Sequence, residues 1–120
     1  MPVKNPVDYW PAIEKNGVAP AYKLAIEALH DDAEVDGLIV HIFAGVWVWA
    51  IDIKEIISGI KKPSKPILFW LMGPEKRRES TRMTLEEEGW PTFYEINRTV
   101  KVMASLFEHS KRIIKRTKNQ

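Results

Sequence analysis

The sequence predicts an α/β domain in three layers, with helices on both sides of a small parallel sheet. Short apolar β-rich runs alternate with segments whose apolar residues recur at helical spacing, in the order helix, strand, helix, strand, helix, strand, helix. The run Leu38–Phe43 is apolar on both faces apart from His41, as expected of a parallel strand covered by helices. Strands that alternate with helices form right-handed βαβ units, which gives the parallel sheet.

The first half of the chain contains the central strand. Residues 1–20 hold four of the eight prolines, so an N-terminal extended segment is expected there. A helix follows at about Ala21–His30, with a predicted buried stripe of Leu24, Ala25, Ala28 and Leu29. After the strand, Gly45 marks a turn into a second helix over Val46–Ile60. Its predicted apolar stripe is Trp49, Ile53, Ile56, Ile57 and Ile60.

The second half repeats the strand and helix alternation twice. A buried strand is predicted at Ile67–Leu71, followed by a charged surface helix at Glu75–Glu88 in which Met83 and Leu85 are the core candidates. A short strand at Pro91–Tyr94 then precedes the final helix. Asn97 is the predicted cap of that helix, and its apolar stripe is Val100, Met103, Ala104 and Phe107. With residues 111–120 as a basic tail, residues 1–120 form one predicted domain of flavodoxin-like type.

Composition excludes several classes of function. Lys and Arg number 18 against 16 Asp and Glu, so the net charge of +2 produces no field suited to nucleic acid. The absence of cysteine excludes disulfides and thiolate chemistry, and no histidine pair has metal-ligand spacing, so no metal site is predicted. No apolar run approaches the roughly 20 residues that span a bilayer, and the N-terminus lacks a signal-peptide core. We expect a cytoplasmic protein that binds neither nucleic acid nor membrane.

The candidate site is the turn that ends the central strand. Ligands of open α/β sheets bind at the carboxyl ends of the strands, and the free N–H groups at a helix start favour an anion. The predicted phosphate contacts are Ala44, Gly45, Val46 and Trp47. Gly73 follows the next strand and is predicted at the same edge. The competing interpretation is that any strand-to-helix turn favours glycine, and neither GxGxxG nor a P-loop lysine signature is present.

No catalytic residue is predicted. His41 lies within the central strand and could act as a base or accept a phosphoryl group, but the favoured interpretation is an interior histidine satisfied by its neighbours. The pair Asp31-Asp32 invites comparison with the magnesium site of receiver domains. That site needs carboxylates at strand ends, whereas this pair follows a helix.

Four stretches in order carry a family resemblance. Asn5-Pro6-Val7-Asp8 is similar to an Asn-Pro-hydrophobic-Asp signature that opens a domain, and Val40–Val46 is similar to an apolar strand that ends in Asn-Ile-Phe-Gly-Gly-Ile. The remaining stretches are Tyr22–Asp32 with Val35-Asp36, and Pro66–Gly73 with Glu88–Phe93. Together they resemble the flavodoxin-like ligase domain of the succinyl-CoA synthetase superfamily, closest to the NDP-forming acyl-CoA (acetate–CoA) ligases.

This resemblance implies a domain or subunit of an acyl-CoA synthetase. In that family a phosphorylated histidine, carried by a sister ligase domain, faces helix N-termini, and the helix beginning near Gly45–Val46 would be one of them. The implied partners are CoA-binding and ATP-grasp domains or subunits of the same ligase, with a homo-oligomer also possible. CoA and ADP or ATP would be cofactors of the whole enzyme, and none would be bound by this domain alone.

Two residues favour an alternative interpretation. Ala44 stands where the family has the first glycine of its pair, and the bulky Trp47 stands where the family has a short side chain. Both changes suit a non-catalytic flavodoxin-like module for protein interaction or regulation, in which the phosphate site has been lost. A third interpretation is a small-molecule or nucleotide sensor that uses the same edge of the sheet.

Overall fold

The computed structural model describes residues 17–45, 52–58, 60 and 63–118, with residues 111–118 described by their backbone alone. Helices and strands alternate along these residues as predicted, so the α/β class is confirmed. The elements are α1 (Val18–Asp31), β1 (Leu38–Phe43), α2 (Ile53–Ser58), β2 (Ile67–Met72), α3 (Glu75–Glu87), β3 (Thr92–Phe93) and α4 (Ile96–Lys118).

The three strands form one parallel sheet in the order β1-β2-β3, so the central strand of the described sheet is β2 and not, as the sequence predicted, β1. The β1–β2 ladder runs from Leu38 paired with Ile67 to Phe43 paired with Met72, whereas β3 adds only two pairs to β2. Because all three strands run in the same direction, their carboxyl ends lie at one edge of the sheet. That edge is where ligands of open α/β sheets bind.

One face of the sheet carries the hydrophobic core. Alternate residues of β1 and β2 point into it, and Phe69 at its centre has no exposed surface. Helices α1, α2 and α3 cover this face and contact one another in sequence. Phe69 also meets the Trp90 ring edge-on, with 5.7 Å between the ring centroids. The fully or nearly fully buried members of the cluster include Tyr22, Ile26, Leu38, Val40, Ile42, Ile53, Ile56, Ile57, Ile67, Phe69, Leu71 and Leu85.

Helix α4 packs on the other face of the sheet. It contacts β2 and β3 but contributes no residue to the cluster above. Leu68, which alternates with the core residues of β2, is nearly fully buried, as is Thr99 of α4. Met103 lies against Gly37, and a Cβ added at Gly37 would stand 2.9 Å from the Met103 sulfur atom. Helices therefore lie on both sides of the sheet.

The helices differ from the prediction mainly in which residues they bury. In α1 the buried side chains are Ala21, Tyr22 and Ile26. The predicted stripe is wrong in part, because Leu24 is 56% exposed, whereas Leu29 packs against the core as predicted. Tyr22 fixes which face of α1 is buried, because its ring packs in the core while its hydroxyl donates a hydrogen bond of 2.8 Å to the His41 carbonyl. In α3, Leu85 is buried as predicted and Met83 is exposed.

Helix boundaries also differ. Of the predicted helix Val46–Ile60, the structure describes α2 over Ile53–Ser58, which buries Ile53, Ile56 and Ile57 as predicted. The predicted start of that helix at Val46 lies outside the described residues. Helix α4 begins at Ile96, so Asn97 lies in its first turn rather than at its cap, and the helix continues to Lys118 through most of the predicted tail. In α4 the predicted stripe is wrong for Val100, Ala104 and Phe107, which are exposed, whereas Met103 is partly buried.

Several predictions fall on residues outside the described ones. They concern most of the N-terminal extended segment, Val46, Trp47 and Trp49. Among the residues that are described, no helix is both long and apolar enough to cross a membrane.

Candidate functional site

The ends of β1 and β2 meet closely at the predicted edge of the sheet. The Ala44 amide donates a hydrogen bond of 2.7 Å to the Met72 carbonyl, which extends the ladder by one step. Gly73 has φ +130°, and a Cβ there would overlap the Ala44 carbonyl oxygen and stand 2.9 Å from its carbon. Only glycine combines this backbone conformation with so close an approach. Gly73 therefore lies beside Ala44, where the sequence placed it.

The two described amides of the predicted phosphate site are already engaged. Ala44 donates to Met72, and the Gly45 amide donates to the Phe43 carbonyl at 3.0 Å. An amide that already donates within the fold gives little further stabilisation to a bound anion. Ala44 and Gly45 therefore form the wall of a site, and any strong contact to an anion there requires other groups.

Such groups line a groove beside this turn, which we call the Gly45 groove. It has a volume of about 380 Å³ and lies between the end of β1, the start of α2 and the first turns of α3. Its residues are Ala44, Gly45, Asp52, Ile53, Lys54, Arg77, Ser80, Thr81 and Thr84. The cationic side chains of Lys54 and Arg77 come from two different helices. The Thr81 and Thr84 hydroxyls already donate hydrogen bonds to the Arg77 and Ser80 carbonyls. The two cations, with the Ser80 hydroxyl beside them, therefore make the groove suited to an anion.

The start of α2, which lines this groove, is capped by the Asp52 side chain. The Asp52 carboxylate accepts a hydrogen bond of 3.3 Å from the Glu55 amide, as an N-cap residue does. A carboxylate at this position competes with an external anion for the helix N-terminus. The favourable charge of the groove therefore comes from Lys54 and Arg77 rather than from the helix dipole.

A second groove opens on the other side of the end of β2, and we call it the Arg78 groove. It has a volume of about 490 Å³ and lies between β2, the start of α3 and the start of α4. Its principal lining residues are Trp70, Met72, Gly73, Arg78, Tyr94 and Asn97. Arg77 and Arg78 are adjacent on α3, and the helical turn of about 100° between neighbours directs them into different grooves.

A polar network behind this groove holds Tyr94. The Tyr94 hydroxyl donates a hydrogen bond of 2.6 Å to Glu79 and accepts one of 3.0 Å from the Arg82 Nε. Arg82 pairs with Glu79 and, at 2.7 Å, with Glu86. Burial raises the pKa of Tyr94, and the bond that it donates to Glu79 raises it further. The network links α3 to the segment after β3 and fixes the orientation of the phenol ring.

The pH dependence of stability is expected to reveal this network. Hydrogen bonds from Arg82 and Tyr94 lower the pKa of Glu79 from 4.5 to about 2. Because the folded-state pKa is lowered, the contribution of Glu79 to stability is present above pH 4.5 and is lost as the pH falls towards about 2. We expect the difference in urea midpoint between wild type and Glu79→Gln to shrink across this window. A difference that stays constant from pH 6 to about pH 2 would contradict the assignment.

His41 has structural contacts of its own. Its Nδ1 lies 3.2 Å from the Trp70 carbonyl, and its ring stands 4.2 Å from the Trp70 ring, centroid to centroid. It is half-buried in the middle of β1, away from both grooves. These contacts agree with the interior role favoured by the sequence. In the described part of the chain, no three potential ligands cluster in a way that could hold a metal ion.

Comparison with known proteins identifies one relative. The ADP-forming acetate–CoA ligase II of Archaeoglobus fulgidus is 33% identical over 112 residues, which cover 93% of this chain. The chain is homologous to part of an ADP-forming acetate–CoA ligase. It spans only 16% of the length of that ligase. No protein-family model matches the sequence, and no solved structure matches it. The ligase homology confirms the resemblance seen in the sequence, for a segment the size of one domain.

The sequence alone missed the charged residues of both grooves. The run Glu75–Glu79 is typical of a solvated helix face, and it contains Arg77 and Arg78. A signal was nevertheless present, because Gly73-Pro74 ends β2 and starts α3 at the ligand edge of the sheet. Any long cationic side chain in the first turn of such a helix lies near that edge.

Proposed function

We propose that this chain is a domain or subunit of an NDP-forming acyl-CoA synthetase and that its Gly45 groove faces the phosphorylated histidine of a partner domain. The homology to the ADP-forming acetate–CoA ligase supports the enzyme class. The observation that carries the site is the convergence of Lys54 and Arg77 beside Ala44 and Gly45. Two cations that face one groove favour a phosphoryl dianion, since charge-assisted hydrogen bonds to phosphate are strong.

In this proposal residues 1–120 act as one domain that is incomplete as an enzyme. The CoA-binding and ATP-grasp domains or subunits of the same ligase supply the binding of CoA and of ADP or ATP. This chain contributes the groove, with Ala44 and Gly45 in its wall. In the proposal Val46 and Trp47, which follow Gly45 in the sequence, are the further phosphate contacts, and Gly73 stands beside Ala44 at the strand ends. Its residues position and stabilise the phosphoryl group, and none of them forms or breaks a bond.

Phosphate binding by the whole 120-residue chain tests this site. We expect inorganic phosphate to shift the ¹⁵N-HSQC amide signals of Gly45 and Lys54 in a saturable way. The double variant Lys54→Gln with Arg77→Gln should raise the apparent Kd by at least about tenfold, because hydrogen bonds to charged groups contribute about 1.5–3 kcal/mol. Lys101→Gln is the matched control, since it removes an exposed cation from α4 on the other face of the sheet.

The outcomes separate the proposal from its alternative. Unchanged phosphate shifts in the double variant would contradict the role of Lys54 and Arg77. No saturable shift at millimolar phosphate would favour the non-catalytic interaction module, which the engaged amides of Ala44 and Gly45 and the capping carboxylate of Asp52 also fit. Titration of the same sample with ADP and then CoA tests whether the chain binds either cofactor alone.

A further inference from the structure

We propose that the Arg78 groove is a second binding site, which takes a small organic anion with a carboxylate or phosphate group and an apolar body. This site is separate from the Gly45 groove and does not depend on the function proposed above. Its volume of about 490 Å³ lies within the usual range for small-molecule sites. It also lies at the carboxyl edge of the sheet, between the ends of β2 and β3.

The first part of the argument is a cation held in place without a counter-ion. The Arg78 guanidinium carbon lies 4.2 Å from the centroid of the Tyr94 ring, a cation–π geometry. Arg82 is neutralised by Glu79 and Glu86, whereas Arg78 forms no ion pair within the described part of the chain. The charge of Arg78 helps to lower the pKa of Glu79, but no carboxylate of the described residues forms an ion pair with Arg78. The Arg78 guanidinium is therefore held against the Tyr94 ring, and no described carboxylate neutralises its charge.

The second part is an unsatisfied donor. The Arg78 Nε is buried and has no hydrogen-bond partner among the described residues. Buried polar atoms without partners are rare in native proteins and require an explanation, because each carries a desolvation cost of about 1–3 kcal/mol. An anion bound in the groove would accept a bond from the same guanidinium, whose planar fork suits carboxylate and phosphate oxygens.

The third part is the start of α4, a helix of 23 residues. The Thr99 amide makes the first helical bond, to the Glu95 carbonyl, and the Thr99 hydroxyl donates to the same oxygen at 2.7 Å. The amides of Ile96 and Asn97 precede that bond, so they have no carbonyl partner within the helix. Ile96 and Asn97 both line the groove opposite Arg78. They place the positive end of the helix dipole at the same site.

The apolar walls indicate the kind of molecule that carries the anionic group. Met72 is 42% exposed and Ile96 is 38% exposed, and both line the groove beside Trp70. The Trp70 indole is held by its Nε1 hydrogen bond of 3.3 Å to the Tyr94 carbonyl. A flat or branched apolar body would cover these side chains. Glu95 is the acidic residue in the lining, and its exposure to solvent weakens its repulsion of a bound anion.

The test is an NMR titration of the 120-residue chain that follows the Arg78 Nε–Hε signal and the Ile96 and Asn97 amides. The probes are benzoate and phenyl phosphate, with acetate and inorganic phosphate as analogues that lack the apolar body. We expect saturable shifts at these signals, with tighter binding of the two aromatic probes than of acetate and inorganic phosphate. Preference for benzoate or for phenyl phosphate identifies the anionic group as a carboxylate or a phosphate.

Two neighbouring variants separate this site from the Gly45 groove. Arg78→Gln should weaken binding of the preferred aromatic probe by at least about tenfold, since it removes the charged donor. Arg77→Gln removes a cation one residue away, in the other groove, and should leave the Kd measured from the Ile96 and Asn97 amide shifts unchanged. Equal losses in both variants, or equal shifts with sodium chloride at the same ionic strength, would overturn the proposal. Failure of phosphate to bind at Gly45 would leave it intact, because the reporter signals belong to different grooves.

Discussion

Truncating Phe69 to alanine is expected to destabilise the fold by about 3–5 kcal/mol, the usual cost of deleting a buried aromatic ring. Phe69 has no exposed surface, lies in the middle of the central strand β2 and meets the Trp90 ring edge-on. The cavity left behind would lie in the hydrophobic core, to which α1, α2 and α3 all contribute buried residues. Urea unfolding followed by far-UV circular dichroism would measure the loss.

Met83→Ala is the matched control for Phe69→Ala. Met83 lies on α3 and is 53% exposed, so its truncation should change the free energy of unfolding by no more than about 0.5 kcal/mol. If Phe69→Ala proves unfolded under all conditions, Phe69→Leu keeps most of the side-chain volume and should show a smaller, measurable loss. A loss of less than about 1 kcal/mol in Phe69→Ala would mean that the described core packing is wrong.

Replacing Gly73 by alanine is expected to cost about 3 kcal/mol, near the upper end for a strained backbone position. Two effects combine there, a φ of +130° that side chains rarely adopt and a steric conflict with the Ala44 backbone. The conflict involves main chain on both sides, so it cannot be relieved by rotating a flexible side chain. We expect a lower urea midpoint and altered amide shifts at Ala44 and Gly45, because the strand ends must separate.

Gly89→Ala distinguishes these two effects. Gly89 also has a positive φ, +84°, but an added Cβ there would have nothing within 4 Å. Its replacement should cost only the conformational penalty of about 1–2 kcal/mol. If both variants lose the same free energy of unfolding, the close approach between Gly73 and Ala44 contributes nothing, and the described edge of the sheet would need revision.

The strands were predictable because each has a local signature. Ile67–Leu71 is an unbroken apolar run, and Leu38–Phe43 is apolar except for His41; both are bounded by turn residues. The full burial on both faces that such runs predict holds for most of β2, whereas Ile39 and Phe43 of β1 are partly exposed. The strand ends, and hence the position of Gly73 beside Ala44, follow from the topology once the strands are known. Homology to a ligase segment was likewise visible as an ordered set of short motifs.

The orientation of the helices and the charged lining of the grooves were less predictable. In α1, Tyr22 was not counted in the apolar stripe, because only tertiary structure brings the His41 carbonyl to its hydroxyl. Asp52 caps the described helix α2, whereas the sequence pattern placed Asp52 inside a longer helix. Arg77 and Arg78 belong to one charge run. Helix geometry predicts that these neighbours point in different directions, but only the packing of α3 against the sheet shows which groove each one lines.

The parallel register of β1 and β2 has a consequence for how the sheet assembles. Every pair, from Leu38 with Ile67 to Phe43 with Met72, joins residues at the same distance along the chain, across the segment that contains α2. The first pair to form therefore bears the entropy of closing that loop, and the later pairs add contacts without closing another. We therefore expect one loop-closing contact to start the β1–β2 ladder and neighbouring pairs to extend it, while β3 joins through a second loop closure, from Phe69 to Thr92.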